Sequence, residues 1–500
     1  MLSKLKNLAG DTIIYGMSSV IIRLFTFLLT PVYSNFLSTS QFDFLIYLLS
    51  FSAILAVFYS VGMEAAYIRF FKHDDEVQSR QAFSISYFAI NILAFLVTLL
   101  IILNSNYLVE IAGYSHIPYA SNMIMLAAFI PFLDVLSNIP FNFLRVTRKA
   151  VRLSLFKLLV VVTSLILHLI LLINYDMQAE GALWSQITAN LFAFIVLIPI
   201  ILENLVFDFD KSLIKDMIRF ALPVFPAGLA SVFLQVADRP ILKILTDSEI
   251  AITTYQVNYR LAVPMLIFVA VFDFAWQPFY LKHYEESDSP KLFGRVLTYY
   301  TLIAGMLFLT LSFFLEYLVR IPFPGGSLIN SIYWQGLHII PFILIAYFFY
   351  GLYVNFSIGA IIGKKTYATA IALISAVIVN IAGNMKLVPE IGYIGSAYSI
   401  ILAYFVAMLI IYFFSRSYFK VEYEWKRVVI IIIISASIYI LITEFVNLVD
   451  SDFLQFIIKL SGVGLFLLFL RIFGFFTKGE ISFVRNFFKK SDKMSDNLKI

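Results

Sequence analysis

The sequence predicts an all-α polytopic membrane protein with fourteen transmembrane helices, and three observations support this fold class. Of the 500 residues, 61% are hydrophobic and 13% are charged, and this charged share is about half of the usual one. Apolar blocks of about 20 residues, the length that crosses a bilayer, recur along the whole chain. The blocks do not alternate between apolar and polar residues, and backbone amides in lipid must be bonded internally, so we expect helices and not a β-barrel.

Fourteen apolar segments are candidates for transmembrane spans. Several are longer than one bilayer crossing, which predicts tilted helices or helices that extend beyond the membrane. We interpret the first segment as a retained helix, because it is long and lacks the small-residue cleavage site of a signal peptide. The segments lie at about 11–35, 43–69, 82–104, 117–143, 152–174, 181–203, 216–238, 251–278, 296–319, 332–359, 366–385, 391–414, 428–446 and 453–474.

Lysines and arginines lie mainly in alternate connecting segments. With the N-terminus assigned to the cytoplasm, the inner segments and the C-terminal tail contain 28 of the 36 lysines and arginines, and the outer segments contain 4. This bias follows the positive-inside rule and predicts that both termini are cytoplasmic. The net charge of +5 therefore reflects membrane topology, and we expect no nucleic-acid partner.

The sequence shows no signature of catalysis or metal binding. It has no cysteine, which excludes disulfides and thiolate metal sites, and its five histidines are scattered. Glycine-rich phosphate loops and paired metal-ligand spacings are absent from the sequence, and the short loops leave no room for a catalytic domain. We therefore expect a protein that is not an enzyme and that needs neither a cofactor nor a metal.

The two halves of the sequence align when one is shifted by 209 residues. This shift places Pro31 on Pro240 and Glu64 on Asp273, and it aligns GMEAAYIRFF with VFDFAWQPFY. An even number of spans in each half makes the repeat parallel, about an axis along the membrane normal. The repeat predicts an N-terminal six-helix lobe (1–210), a C-terminal six-helix lobe (211–420), two extra transmembrane helices (421–474) and a cytoplasmic tail (475–500).

Two groups of motifs lie in corresponding parts of the halves. The first consists of Gly16, Arg23, Pro31, Leu37 and GMEAAYIRFF, and the second of RFALPVFPAGL (219–229), ADRPIL (237–242), Tyr255 and AWQPFY (275–280). With these motifs the chain resembles the polysaccharide (O-antigen-type) flippases of the multidrug/oligosaccharidyl-lipid/polysaccharide exporter superfamily over nearly its whole length. The first outer loop, LSTSQFDFLIY, departs from the family pattern, because it has Asp43 where that loop usually has a glycine near its aromatic residue.

The resemblance implies two six-helix lobes that face each other across a V-shaped cavity lined by spans 1, 2, 7 and 8. The implied substrate is a polyprenyl-pyrophosphate-linked oligosaccharide, which is moved from the inner to the outer leaflet of the bacterial cytoplasmic membrane for surface polysaccharide biosynthesis. Its pyrophosphate needs a polar, preferably cationic cavity, while its tail remains among the membrane lipids. A driving ion, H+ or Na+, and a partner such as a polysaccharide polymerase or a glycosyltransferase are left open.

An ion-coupled multidrug antiporter of the same superfamily is the alternative function. Such antiporters usually have twelve spans and acidic cavities for cationic substrates, so the last two spans favour the lipid flippase. A third class, a polysaccharide polymerase or an O-acyltransferase, would require a large outer loop or a buried His/Asp site. Neither is evident in the sequence.

Two arginines are candidates for binding the phosphates of the substrate. Arg23 lies about 18 Å into span 1 and Arg260 about 14 Å into span 8, at 1.5 Å per helical residue. A guanidinium group presents a planar fork of donors that suits phosphate oxygens. The structural alternative is that each arginine pairs with an acid or a carbonyl and only connects helices. Asp134 and Lys157, at comparable depth in spans 4 and 5, are candidates for a structural pair.

Four further residues are candidates for ion coupling or gating: Glu64, Asp273, Asp238 and Arg239. A carboxyl group inside the membrane must pair, take up a proton or face a cavity. Glu64 and its repeat mate Asp273 are therefore predicted to act in coupling or gating, with a structural pair as the alternative. Asp238 and Arg239 end span 7 at the predicted outer face, where they form a gate between the lobes or remain surface charges.

The predicted topology can be tested with reporter fusions. A reporter that is active only in the cytoplasm should be active when it is fused after Ile500, because the positive-inside count places the C-terminus there. The same reporter inserted after Pro324, in a predicted outer segment, should be inactive. Activity of a periplasm-specific reporter after Ile500 would contradict the orientation and the number of spans.

Overall fold

The computed structural model describes residues 27–246, 248–365 and 367–475, and the statements below refer to these residues. The first half of the chain is helical, with one π-helical extension of α7 at Ile170–Asn174. Its helices are α1 (described over 27–36), α2 (Thr39–Ser60), α3 (Met63–Phe70), α4 (Glu76–Leu103), α5 (Ser105–Ala112), α6 (Ala120–Val146), α7 (Ala150–Leu169) and α8 (Gln178–Asn204).

The second half is also helical, with one small hairpin. Its two strands, β1 (Pro322–Phe323) and β2 (Gly326–Ser327), pair antiparallel, and a 3-10 segment at Ser331–Ile339 follows them. The helices are α9 (Lys211–Val236), α10 (Asp238–Thr246), α11 (Glu249–Leu261), α12 (Val263–His283), α13 (Ser289–Val319), α14 (Ile340–Phe356), α15 (Ile358–Ile362), α16 (Tyr367–Ile391), α17 (Tyr393–Arg416), α18 (Trp425–Val446) and α19 (Asp452–Ile472).

The predicted fold class is confirmed. Thirteen segments of the described chain are helices long and apolar enough to cross a membrane, and they coincide with predicted spans 2 to 14. The first predicted span lies mostly outside the described residues, and α1 is its last part. The chain is therefore a multi-pass, all-α membrane protein. The boundaries proposed for the two lobes, the extra helices and the tail stay a prediction.

The contacts divide the chain into two compact units. The first contains the chain up to Leu281 together with Glu316–Phe419, and the second contains Lys282–Leu315 together with the chain from Lys420 onward. Within the second unit, α18 and α19 pack on α13 around a core that includes Leu309 and Phe466. The polar residue Glu424 accepts hydrogen bonds from Thr298 Oγ1 at 2.8 Å and Arg427 Nη1 at 2.9 Å, which ties the start of α18 to α13.

The second and eighth predicted spans are each divided into two helices. Between α2 and α3, Val61 and Gly62 adopt φ values of 42° and 76°, which are left-handed conformations that end a helix. Between α11 and α12, the break lies at Ala262, just before Pro264. Proline has no backbone N–H, so it cannot donate the hydrogen bond that a continuous helix would need at that position. The prediction of continuous helices over 43–69 and 251–278 is therefore wrong at these two points.

Both of these divided spans begin with a serine cap. Ser38 accepts a hydrogen bond from the Gln41 amide at 3.4 Å and caps α2, while Ser248 accepts one from the Ala251 amide at 3.4 Å and caps α11. Ser38 and Ser248 are 210 residues apart, close to the predicted shift of 209. The breaks within the two spans do not follow the same spacing, so the repeat stays a prediction.

The first and second halves are in direct contact where α2 and α3 pack against α9. A Cβ atom at Gly62 would lie 2.4 Å from the carbonyl oxygen of Ala221 in α9, so only glycine permits this approach. Aromatic pairs lie on both sides of the contact, with ring centroids 5.9 Å apart for Phe58–Phe225 and 6.3 Å apart for Phe70–Phe220. Pairs of this kind contribute about 0.5–1.5 kcal/mol beyond burial.

We expect Gly62→Ala to destabilise the protein. The substitution forces a side chain into a left-handed conformation, which costs roughly 1–2 kcal/mol, and it places a methyl group against the Ala221 carbonyl. The melting temperature of the purified protein should fall. Gly464→Ala is the matched control, because a Cβ atom at Gly464 meets nothing within 4 Å. Equal melting temperatures for both variants would show that the approach of α3 to α9 is not tight.

Candidate functional site

Side chains of the second half of the chain donate hydrogen bonds to the carboxylate of Asp238. Its side chain is fully buried. One carboxylate oxygen accepts a hydrogen bond from the Tyr255 hydroxyl at 2.8 Å, and the other accepts one from Asn384 Nδ2 at 3.4 Å. Asn384 in turn accepts a hydrogen bond from the Ser396 hydroxyl at 2.6 Å. The carboxylate is therefore held between α10, α11 and α16.

Arg239 is also satisfied within the second half. Its Nε donates to Gln256 Oε1 at 2.6 Å, and its Nη1 donates to the backbone carbonyl of Gln235. The guanidinium stacks over the Tyr259 ring at 4.2 Å. Asp238 and Arg239 thus have different hydrogen-bond partners, as expected for neighbouring residues on a helix. Among the described residues, neither forms an ion pair with the first half. The gate that the sequence predicts for Asp238 and Arg239 therefore has no ion pair across the halves in this structure.

Arg260 differs from Arg239, because one of its donors has no partner among the described residues. Its guanidinium lies 5.7 Å from the centre of the Tyr33 ring in α1. Its Nη1 is buried and has no hydrogen-bond partner in the described part of the chain. Tyr33 also packs against the buried ring of His168, with ring centroids 5.7 Å apart. The structure thus brings Arg260 of the second half beside two aromatic residues of the first half. Arg23 lies outside the described residues.

Glu64 and Asp273, which the repeat aligns, have different surroundings. Glu64 accepts hydrogen bonds from Asn138 Nδ2 at 3.0 Å and from Asn142 Nδ2 at 3.4 Å. It also lies in the first turn of α3, where the helix dipole favours a negative charge. Asp273 is exposed on α12 and has no hydrogen bond to another described residue. The structure therefore holds Glu64 in place and leaves Asp273 accessible.

A buried ion pair connects the two halves near the start of α2. Asp43 is fully buried, and its Oδ2 accepts a hydrogen bond from the Tyr114 hydroxyl at 2.9 Å. Lys243 Nζ, from α10, lies 3.9 Å from the same oxygen and 4.5 Å from the centre of the Tyr114 ring. Sequence reasoning did not place Asp43 or Lys243 in a site. The signal that pointed to Asp43 was its departure from the family pattern in the first outer loop.

Three further polar contacts bridge the halves at the same end of the bundle. Glu249 at the start of α11 accepts a hydrogen bond from the Ser40 hydroxyl at 2.9 Å and lies 3.1 Å from His116 Nε2. Asn35 Nδ2 donates to the carbonyl oxygen of Ser327 in the hairpin at 2.9 Å. We call this end the closed end, defined by the contacts Asp43–Lys243, Ser40–Glu249 and Asn35–Ser327.

The family model described as polysaccharide biosynthesis protein matches residues 8–279, which is more than half of the chain. No curated protein gives a significant match. The family-model match confirms the resemblance that the sequence motifs indicate.

Several solved membrane transporters share the fold. "Lipid II flippase MurJ, inward closed conformation" is 15% identical with a TM-score of 0.75, covering 92% of this chain and 99% of its own. An inward-facing multidrug resistance MATE family transporter of the MOP superfamily is 14% identical with a TM-score of 0.61, covering 80% and 97%. A MOP superfamily transporter from Pyrococcus furiosus is 14% identical with a TM-score of 0.55, covering 81% and 95%. At these identities the similarity concerns the fold.

Proposed function

Since the chain belongs to the family of polysaccharide biosynthesis proteins, we propose that it is a flippase for a polyprenyl-pyrophosphate-linked oligosaccharide. It moves this lipid from the inner to the outer leaflet of the bacterial cytoplasmic membrane, with both termini in the cytoplasm, and so supplies surface polysaccharide biosynthesis. The fold it shares with a lipid II flippase supports the proposal, because that fold is compatible with moving a lipid-linked headgroup.

The observation that carries the proposal is the unpartnered donor of Arg260. A charged side chain inside a membrane protein is retained when it pairs, reaches water or binds a ligand. Arg239 donates hydrogen bonds to Gln256 and to the backbone of Gln235, whereas Nη1 of Arg260 has no acceptor among the described residues. The anionic oxygens of a pyrophosphate accept charge-assisted hydrogen bonds from such a group, and these bonds are strong where water is scarce. Arg260, together with Arg23, is therefore assigned to the phosphate site.

The closed end suggests how access to this site alternates. The three contacts that define it join the first half to the second, so they must break for the halves to separate at that end. We assign the closed end to the outer face, which agrees with the positive-inside count. Substrate then enters from the cytoplasmic side and leaves after the closed end opens. Asp273, which is accessible, is assigned to ion coupling.

An ion-coupled multidrug antiporter is the second candidate. The exposed carboxylate of Asp273 favours it, because cationic drugs need acidic partners. The fold shared with MATE transporters agrees with it as well. Two features favour the flippase over the antiporter: the family of the chain and the unpartnered guanidinium, which would repel a cationic drug.

Substitution of Arg260 should impair transport in a graded way. Arg260→Ala removes the charge-assisted hydrogen bonds and should lower transport roughly ten- to a hundredfold, whereas Arg260→Lys keeps the charge and should lower it less. Transport is measured as the amount of lipid-linked oligosaccharide that becomes accessible in the outer leaflet of proteoliposomes. Arg320→Ala, which removes an exposed arginine stacked on Trp334, is the control and should have no effect. Normal transport by Arg260→Ala would remove Arg260 from the mechanism.

A reducible crosslink across the closed end should stop transport reversibly. The chain has no native cysteine, so Ser40→Cys with Glu249→Cys introduces a single cysteine pair, at positions where Ser40 Oγ and Glu249 Oε1 are 2.9 Å apart. Because cysteine is shorter than glutamate, a short bis-methanethiosulfonate linker joins the two thiols and forms a disulfide with each of them. Linking should block transport and reduction should restore it. Ser105→Cys with Ser121→Cys is the matched control, because these hydroxyls are 2.8 Å apart within the first half. Equal transport by the linked and reduced forms of the first pair would contradict an outward opening at this end.

A further inference from the structure

A row of polar side chains follows one face of α6. Asp134, Asn138 and Asn142 are spaced four residues apart, so they lie above one another on the helix. Glu64 of α3 is hydrogen-bonded to both asparagines. Lys157 of α7 is close enough to interact electrostatically with Asp134 and Glu64. We call these five residues the α6 strip.

Asp134 is the least satisfied member of the α6 strip. It lies near the middle of α6, a membrane-spanning helix, and its side chain is exposed. It has no hydrogen bond and no ion pair with any described residue. Lys157, its expected partner, stacks instead over Phe141, with Nζ 5.4 Å from the ring centre. Asp134 and Lys157, the predicted structural pair, therefore interact electrostatically but form no direct salt bridge.

The position of Asp134 indicates that the α6 strip faces water and not lipid. A carboxylate exposed to hydrocarbon at mid-membrane depth is strongly disfavoured, and such groups face the interior or a water-filled cavity. The other acid of the strip, Glu64, is oriented by two amides and by the start of α3. Within the first half, the strip thus combines a hydrogen-bonded acid, Glu64, with an exposed acid, Asp134.

The charges of the α6 strip restrict what it can bind. Two carboxylates repel a pyrophosphate, so the phosphates belong elsewhere. Within the described chain, no group of three or more acidic or histidine side chains is suited to a metal ion, and the ammonium of Lys157 further disfavours a cation. Carboxylate and amide oxygens accept hydrogen bonds, and amide and ammonium groups donate them. An uncharged ligand with many hydroxyl groups matches this mixture of acceptors and donors.

We propose that the α6 strip binds the sugar portion of the lipid-linked oligosaccharide. This inference rests on the proposed function and deepens it, because it assigns the two chemical parts of one substrate to different places. The pyrophosphate binds at Arg260 of the second half, and the sugars bind at the strip of the first half. Glu64 is then a sugar ligand held by Asn138 and Asn142, a role different from the coupling or gating role predicted from the sequence.

Binding measurements with two lipids test the assignment. One probe is undecaprenyl pyrophosphate, and the other is the undecaprenyl-pyrophosphate-linked oligosaccharide extracted from cells of the source strain that lack this protein. The wild type should bind the glycosylated probe more tightly in native mass spectrometry titrations. Asp134→Leu should weaken binding of the glycosylated probe about three- to tenfold, the effect of losing one or two hydrogen bonds, and leave the other probe unchanged. Asp134→Asn, which still hydrogen-bonds, should keep most of the affinity.

Two control variants separate this inference from the proposed function. Arg260→Ala should weaken binding of both probes by the same factor, and Asp216→Asn, a change at an exposed acid near the start of α9, should affect neither. Equal affinity of the wild type for both probes, or an unchanged preference in Asp134→Leu, would overturn the sugar site and leave the flippase standing. Absence of binding of either probe to the wild type would overturn both.

Discussion

The low polarity of the membrane interior is the constraint on which the rest of the structure depends. A charge at the centre of a helix in lipid costs about 2.5–3.5 kcal/mol on insertion scales, so each internal charge must be paired, shielded or hydrated. Asp238 and Arg239 form hydrogen bonds with neighbouring side chains and backbone, and these bonds stabilise the fold. Nη1 of Arg260 and the carboxylate of Asp134 have no hydrogen-bond partner in the described chain. The unsatisfied charges are therefore the ones that carry information about function.

The halves are joined by two kinds of contact with different consequences. Along α2 and α3, the contact with α9 is close and apolar, and Gly62 permits it. At the closed end the contacts are polar, and they include the buried pair Asp43–Lys243. Removing one partner of a buried pair costs about 3–5 kcal/mol, whereas partners that separate into water are both rehydrated. Polar contacts thus suit an end that opens, because water replaces them when the halves part.

Sequence alone predicted the spans well and the site in part. Span length follows from local hydrophobicity, which is why thirteen spans coincide with helices of the described chain. The break at Val61–Gly62 depends on backbone conformation and on packing against α9, and the break at Ala262 depends on Pro264. A hydrophobic pattern encodes neither. Asp43–Lys243 and Ser40–Glu249 join residues about two hundred positions apart, so only the fold reveals them. The sequence identified Arg260 by its depth, but the unpartnered donor that distinguishes it from Arg239 required the structure.

The proposed phosphate site and the closed end are connected by a single helix. Glu249 begins α11 and Arg260 lies in its last turn, about 16 Å away at 1.5 Å per residue. Glu249 contacts Ser40 of the first half, and Arg260 lies over Tyr33 of the same half. If α11 moves as a rigid body, a movement that breaks the first contact would also shift Arg260 relative to Tyr33. For the proposed flippase, this linkage solves a problem of release. An arginine that binds pyrophosphate strongly in a dry site must be hydrated before the lipid can leave, and opening the closed end admits water as Arg260 shifts.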